Sequence, residues 1–120
     1  MPRNIGLEIT IEEHDGIVQV GLSGSVDHSS QPEMKRKIGP YCDVEDVRLL
    51  IDFGDTTYLN SSSIGAISDF NRRCQKSHGA MAACRVDSSI QEIFELLGLT
   101  KTIKMFRTRE EARGYLLNPK

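Results

Sequence analysis

The stretch that most limits how this chain can fold is Leu49 to Gly65, read as L-L-I-D-F-G-D-T-T-Y-L-N-S-S-S-I-G. Val47, Leu49, Leu50, Ile51 and Phe53 form a short, nearly continuous apolar run, the pattern of a parallel strand covered on both faces. Gly54 and Asp55 then read as a strand break, Tyr58 and Leu59 return an apolar pair, and Asn60-Ser61-Ser62-Ser63 supplies side chains able to cap the free N–H groups of a helix start. A polar loop between a buried strand and a helix is where open α/β sheets keep their working surface.

The flanking segments extend this unit. Ile5 to Glu13 alternates apolar and polar residues as a half-buried strand does, His14-Asp15-Gly16 reads as a turn, and Ile17, Val18, Val20 and Leu22 predict a second, antiparallel strand. The small-residue loop Ser23 to His28 leads to a helix opened by Ser30 and Glu33 at capping-box spacing, with Pro32 in its first turn and Gly39-Pro40 as its stop. Beyond the central strand, Ser62 to Ser77 carries Ala66, Ile67, Phe70 and Cys74 on one helical face, and His78-Gly79 ends it. Ala80 to Val86 predicts a strand. Ser88 and Gln91 open a helix that stops at Gly98, Ile103 to Phe106 predicts a short strand, and Thr108 and Glu111 cap a last helix. The order β β α β α β α β α predicts one α/β domain over residues 1–120, with a mixed sheet of four to five strands and about four helices.

Composition excludes several classes. The net charge of −2 argues against a general nucleic-acid binder, and the basic clusters Lys35-Arg36-Lys37 and Arg72-Arg73 fall on predicted helices as solvated faces. Cys42, Cys74 and Cys84 show no metal-ligand spacing and form no disulfide framework, so neither metal nor cofactor is expected. No apolar run approaches the ~18 residues of a membrane span, and a cytoplasmic protein without membrane insertion is the expectation.

Enzyme signatures are missing from the sequence: it has no G-x-G-x-x-G, no P-loop and no G-x-S-x-G, while His14, His28 and His78 each stand in a predicted turn or loop. A hydrolase built on Ser61 to Ser63 would lack a paired base, and no catalytic residue is assigned. Ser61 itself has two readings. It serves as part of a helix cap, worth ~1 kcal/mol, or it seats a phosphate on the positive end of the helix. The residues alone leave both open.

The run from Asp52 to Gly65, together with G-S-V-D-H before it and S-I-Q-E-I-F-E-L-L-G-L after it, resembles the STAS family, the domain of bacterial anti-sigma factor antagonists. Members typically read D-[LF]-x-x-[VT]-x-[FY]-[ML]-D-S-[ST]-G-[LI]-G after an apolar strand, and the similarity spans nearly the whole chain. It implies a small mixed sheet with helices packed mainly on one side. In the phospho-switch branch the serine after the acidic residue is phosphorylated by a serine protein kinase that is also the anti-sigma factor. That position falls on Ser61, and the acidic residue of the preceding loop, which helps engage the kinase, falls on Asp27. Asn60 stands where aspartate is usual and Ser63 where glycine is usual.

The resemblance therefore implies a binding module with no activity of its own, whose partners are an anti-sigma factor kinase and a phosphatase. Asp27, His28, Thr57, Tyr58, Leu59, Asn60, Ser61 and Ser62 are the expected docking residues, with Asp55 adding charge to the same surface. Leu59 has a second reading, as an apolar staple at the helix entrance. Homodimer formation stays open at this point. So does the alternative of a STAS subunit in a lipid-transport or sensory complex, in which Ser61 is never modified.

Overall fold

The computed structural model describes residues 6–119. It contains β1 (Leu7–His14), β2 (Ile17–Val26), α1 (Gln31–Cys42), β3 (Arg48–Leu59), α2 (Ser61–Lys76), β4 (Ala80–Cys84), α3 (Ser88–Leu96), β5 (Lys104–Phe106) and α4 (Arg109–Leu117), with 3-10 turns at His28–Ser30 and Leu99–Lys101. The strands form one sheet in chain order, β1 antiparallel to β2 and every later neighbour parallel. Asp15 and Gly16, at φ 57° and 79°, make the two-residue hairpin turn whose twist matches that of the strands. Ile5, expected at the start of β1, lies outside the described residues.

From β2 onward each strand–helix–strand unit steps in the same direction across the sheet. Right-handed crossovers then force α1, α2 and α3 onto a single face. The last helix of the described residues, α4, covers the opposite face. Side chains on β3 alternate accordingly: Leu49, Ile51 and Phe53 join the large core with Ile38, Ile67, Phe70 and Phe94, while Leu50 packs with Ile17, Ala82, Cys84, Ala112 and Leu116 under α4. This two-sided burial explains the apolar run, and it matches the expected mixed sheet with helices mainly on one side.

Several local boundaries differ from expectation. β3 does not break at Gly54-Asp55 but continues to Leu59, because β2 also continues past Leu22 and pairs Ser23 with Asp55 and Ser25 with Tyr58 across two register shifts. At the first shift the Thr56 hydroxyl donates to the Leu22 carbonyl at 2.8 Å, which lets polar residues remain in the sheet. Pro40 does not stop α1, which runs to Cys42; so near the helix end the proline removes one hydrogen bond without breaking the last turn.

Cap positions shift as well. The Ser30 side chain does not cap α1; Asp27 and Ser30 instead form a reciprocal capping box on the preceding 3-10 turn. α2 starts at Ser61, one residue earlier than expected, and Asp87 rather than Ser88 caps α3. β4 ends at Cys84, short of Val86, and Arg85 then adopts φ 57°. Ile103 is fully buried just before β5. Thr108 and Glu111 form the expected box on α4. At the end of α2, His78 takes the left-handed conformation (φ 64°). Gly79 has another role there, since a Cβ on it would lie 2.1 Å from the Val47 carbonyl oxygen.

Candidate functional site

The C-terminal ends of β2 and β3 deliver two polar segments to the same place. The Asn60 N–H donates to the Val26 carbonyl at 3.2 Å, so the turn beginning at Asp27 lies directly beside the start of α2. Asn60 is extended (φ −90°, ψ 168°), and its Oδ1 accepts from the Ser63 N–H at 2.9 Å, filling one of the orphan donors of the helix. An asparagine makes this cap as well as the usual aspartate would, without its charge.

Around this mouth the hydroxyls are mostly occupied. Ser29 Oγ donates to Asp27 Oδ1 at 2.7 Å, and Ser30 Oγ donates to the Asp27 carbonyl at 3.1 Å. Ser62 Oγ donates to Asn60 Oδ1 at 3.3 Å and accepts from Gln31 Nε2 at 2.8 Å. Ser63 is fully buried and also accepts from Gln31 Nε2, at 3.2 Å. Ser61, the first residue of α2, is exposed, and its hydroxyl makes no hydrogen bond to another described residue. It faces solvent at the positive end of a 16-residue helix, a favourable seat for negative charge.

Asp27 is ionised at neutral pH. The Ser29 hydroxyl is the main group holding its carboxyl below the usual range, and the Ser29 and Ser30 N–H groups add to the effect. His28, Thr57 and Tyr58 are exposed near the same edge and available to a partner. Leu59, expected on the docking face, is only 2% exposed and packs into the large core, so the staple reading describes its side chain. Asp55 is also displaced from the expected surface: the register shift between Gly21 and Ser23 breaks the alternation along β3 and turns Asp55, like Asp52, to the α4 side of the sheet, where it lines an open cleft of about 350 Å³ with Glu8, Glu12, Asp52, Arg85 and Arg109.

That cleft contains the cluster that sequence reasoning missed. Asp52, 5% exposed, accepts from Arg85 Nε and Nη2 at 3.0 Å each, from Arg109 Nε at 2.9 Å and from the Gly54 N–H at 2.8 Å. Burial alone would raise the Asp52 pKa, but the Arg85 bonds, the Gly54 N–H and Arg109 together hold it below the usual carboxylate range. A charged residue inside an apolar run was the one sequence signal for this cluster. Among the described residues no group of His, Cys, Asp and Glu is placed to hold a metal ion, and no helix is long and apolar enough to cross a membrane.

Fold and site together define an α/β domain with a hydroxyl-rich helix mouth at the C-terminal edge of its parallel strands. The pattern of the STAS domain matches residues 8–112, and the chain belongs to the STAS family. It is 22% identical over 103 residues to the anti-sigma F factor antagonist of Paenibacillus polymyxa, covering 85% of this chain and 88% of the relative. Its fold is that of an anti-sigma factor antagonist from Mycobacterium paratuberculosis (TM-score 0.84, 23% identity, 94% and 96% of the two chains covered). The fold is also shared by the Bacillus cell fate determinant SpoIIAA in its phosphorylated form (TM-score 0.68, 18% identity, 89% and 97% covered).

Proposed function

We propose that this protein is an anti-sigma factor antagonist in a cytoplasmic partner-switching pathway, and that phosphorylation of Ser61 turns it off. The observation that carries the reading is the state of the hydroxyls: Ser29, Ser30, Ser62 and Ser63 are hydrogen-bonded, whereas Ser61 is exposed and has none within the described chain. The names of its relatives supply the class of partner, an anti-sigma factor, which in this reading is also the serine kinase.

In the proposed step Ser61 Oγ attacks the γ-phosphorus of a nucleoside triphosphate carried by the kinase. The bond to the β,γ-bridging oxygen breaks, the nucleoside diphosphate leaves, and the hydroxyl proton passes to a base of the kinase. A phosphatase reverses the modification with water. The fold can accept the phosphate without rearrangement, since the helix end already favours charge there.

The consequence is electrostatic. A phosphate adds a charge of about −1.5 to −2 beside ionised Asp27, and like charges set against a partner's surface cost several kcal/mol. Each 1.4 kcal/mol changes affinity about tenfold, which is enough to empty the complex. Ser61→Asp should therefore lose the anti-sigma factor while Ser61→Ala retains it under phosphorylating conditions, as measured by calorimetric titration. Equal binding by both variants would refute the reading.

A further inference from the structure

We infer that Gln31 determines which serine is modified, by tying down the hydroxyls of Ser62 and Ser63 so that Ser61 is left as the acceptor; this rests on the phosphorylation reading above. Gln31 is the first residue of α1, and its amide reaches across to α2 with two contacts, 2.8 Å to Ser62 Oγ and 3.2 Å to Ser63 Oγ. A primary amide has two N–H donors, and here they serve two neighbouring hydroxyls. Ser62 is held at both ends, because its own proton goes to Asn60 Oδ1 at 3.3 Å.

Phosphoryl transfer needs a serine oxygen with a lone pair aimed at phosphorus and a proton that can leave for a base. Ser61 meets both conditions as it stands. Ser62 is exposed like Ser61, so burial does not separate the two; its hydrogen bonds do. To react, Ser62 must give up the Gln31 and Asn60 contacts, and two hydrogen bonds of ordinary strength correspond to a preference of roughly ten- to a hundredfold for Ser61. Ser63 is disfavoured further by complete burial. Asn60 and Ser63, the two positions at which the chain departs from the usual family pattern, are both members of the network that Gln31 completes.

Gln31→Met keeps the length and the helix propensity of the side chain and removes the donors. The experiment maps phosphate by mass spectrometry on the wild-type chain and on Q31M, each expressed in the host of origin, with thermal denaturation to show that both are folded. Phosphate on Ser61 in the wild type, with a rise of roughly two- to tenfold in the Ser62 share in Q31M, which loses one of the two bonds, is the expected result. Phosphate confined to Ser61 in both proteins, or already spread over Ser61 and Ser62 in the wild type, overturns the role of Gln31 and leaves the phosphorylation reading standing. Absence of phosphate from Ser61 in the wild type overturns both.

Discussion

Asp52 shows how a single residue can be costly to bury and still be retained. Its carboxylate sits at the centre of Arg85, Arg109 and the Gly54 N–H, and the folded-state pKa is lowered relative to the unfolded chain despite the opposing effect of burial. A depressed carboxylate pKa contributes stability that is fully present above the unfolded value of about 4 and is lost as pH falls through the folded value. Asp52→Asn should lower unfolding free energy by about 1–3 kcal/mol at pH 7. It should also flatten the decline of stability between about pH 5 and 2. Urea denaturation of both proteins across that range checks this, and parallel pH profiles would contradict it. The same carboxylate acts on its neighbour: burial first, then Asp52, pushes the Cys84 thiol up to about 12, so it stays protonated as a core residue. Burial of Cys84 follows from its place in the strand predicted over Ala80 to Val86. The arginine partners of Asp52 were not legible in the sequence, since they lie 33 and 57 positions away.

At the scale of elements, helix ends separate what local chemistry decides from what it leaves ambiguous. Thr108 and Glu111 were legible as a capping box because both partners lie within one turn and nothing nearby competes. Ser30 with Glu33 and Ser88 with Gln91 have the same spacing, yet Ser30 is drawn into the 3-10 turn that Asp27 caps, leaving α1 without a side-chain cap, and Asp87, one residue earlier, caps α3 through the Ser89 N–H. The cap on α2 rests on Asn60 alone, through the 2.9 Å bond from the Ser63 N–H. Asn60→Ala should therefore cost about 1 kcal/mol. Asn60→Asp, by contrast, should keep the bond and gain about 0.5 kcal/mol from the helix dipole. Chemical denaturation of the two variants should move in opposite directions from the wild type; a loss in both would show that the asparagine amide N–H₂ matters more than its oxygen.

On the scale of the whole molecule, the mouth of α2 belongs to the edge formed by the strand ends, while the Asp52 cluster lies on the α4 side of the sheet. Ser61 contributes to neither core and has no hydroxyl partner within the described chain. Charge placed on it should change recognition without changing the fold. Ser61→Asp should melt within about 2 °C of the wild type, a difference below ~1 kcal/mol for a domain of this size, while affinity for the anti-sigma factor of the proposed function falls more than tenfold. A large drop in melting temperature would mean that the charge acts by loosening the domain instead.

The sequence by itself determined the order of elements, the two-sided burial of β3 and the serine-rich start of α2, because apolar spacing and capping chemistry act over a few residues. Tertiary structure alone decided that β2 and β3 remain paired through polar residues, that Leu59 turns inward, that Asp55 faces the α4 side rather than the mouth of α2 and that Gln31 meets Ser62 and Ser63. Those outcomes depend on strand register and on contacts between residues some thirty or more positions apart, which no local pattern encodes.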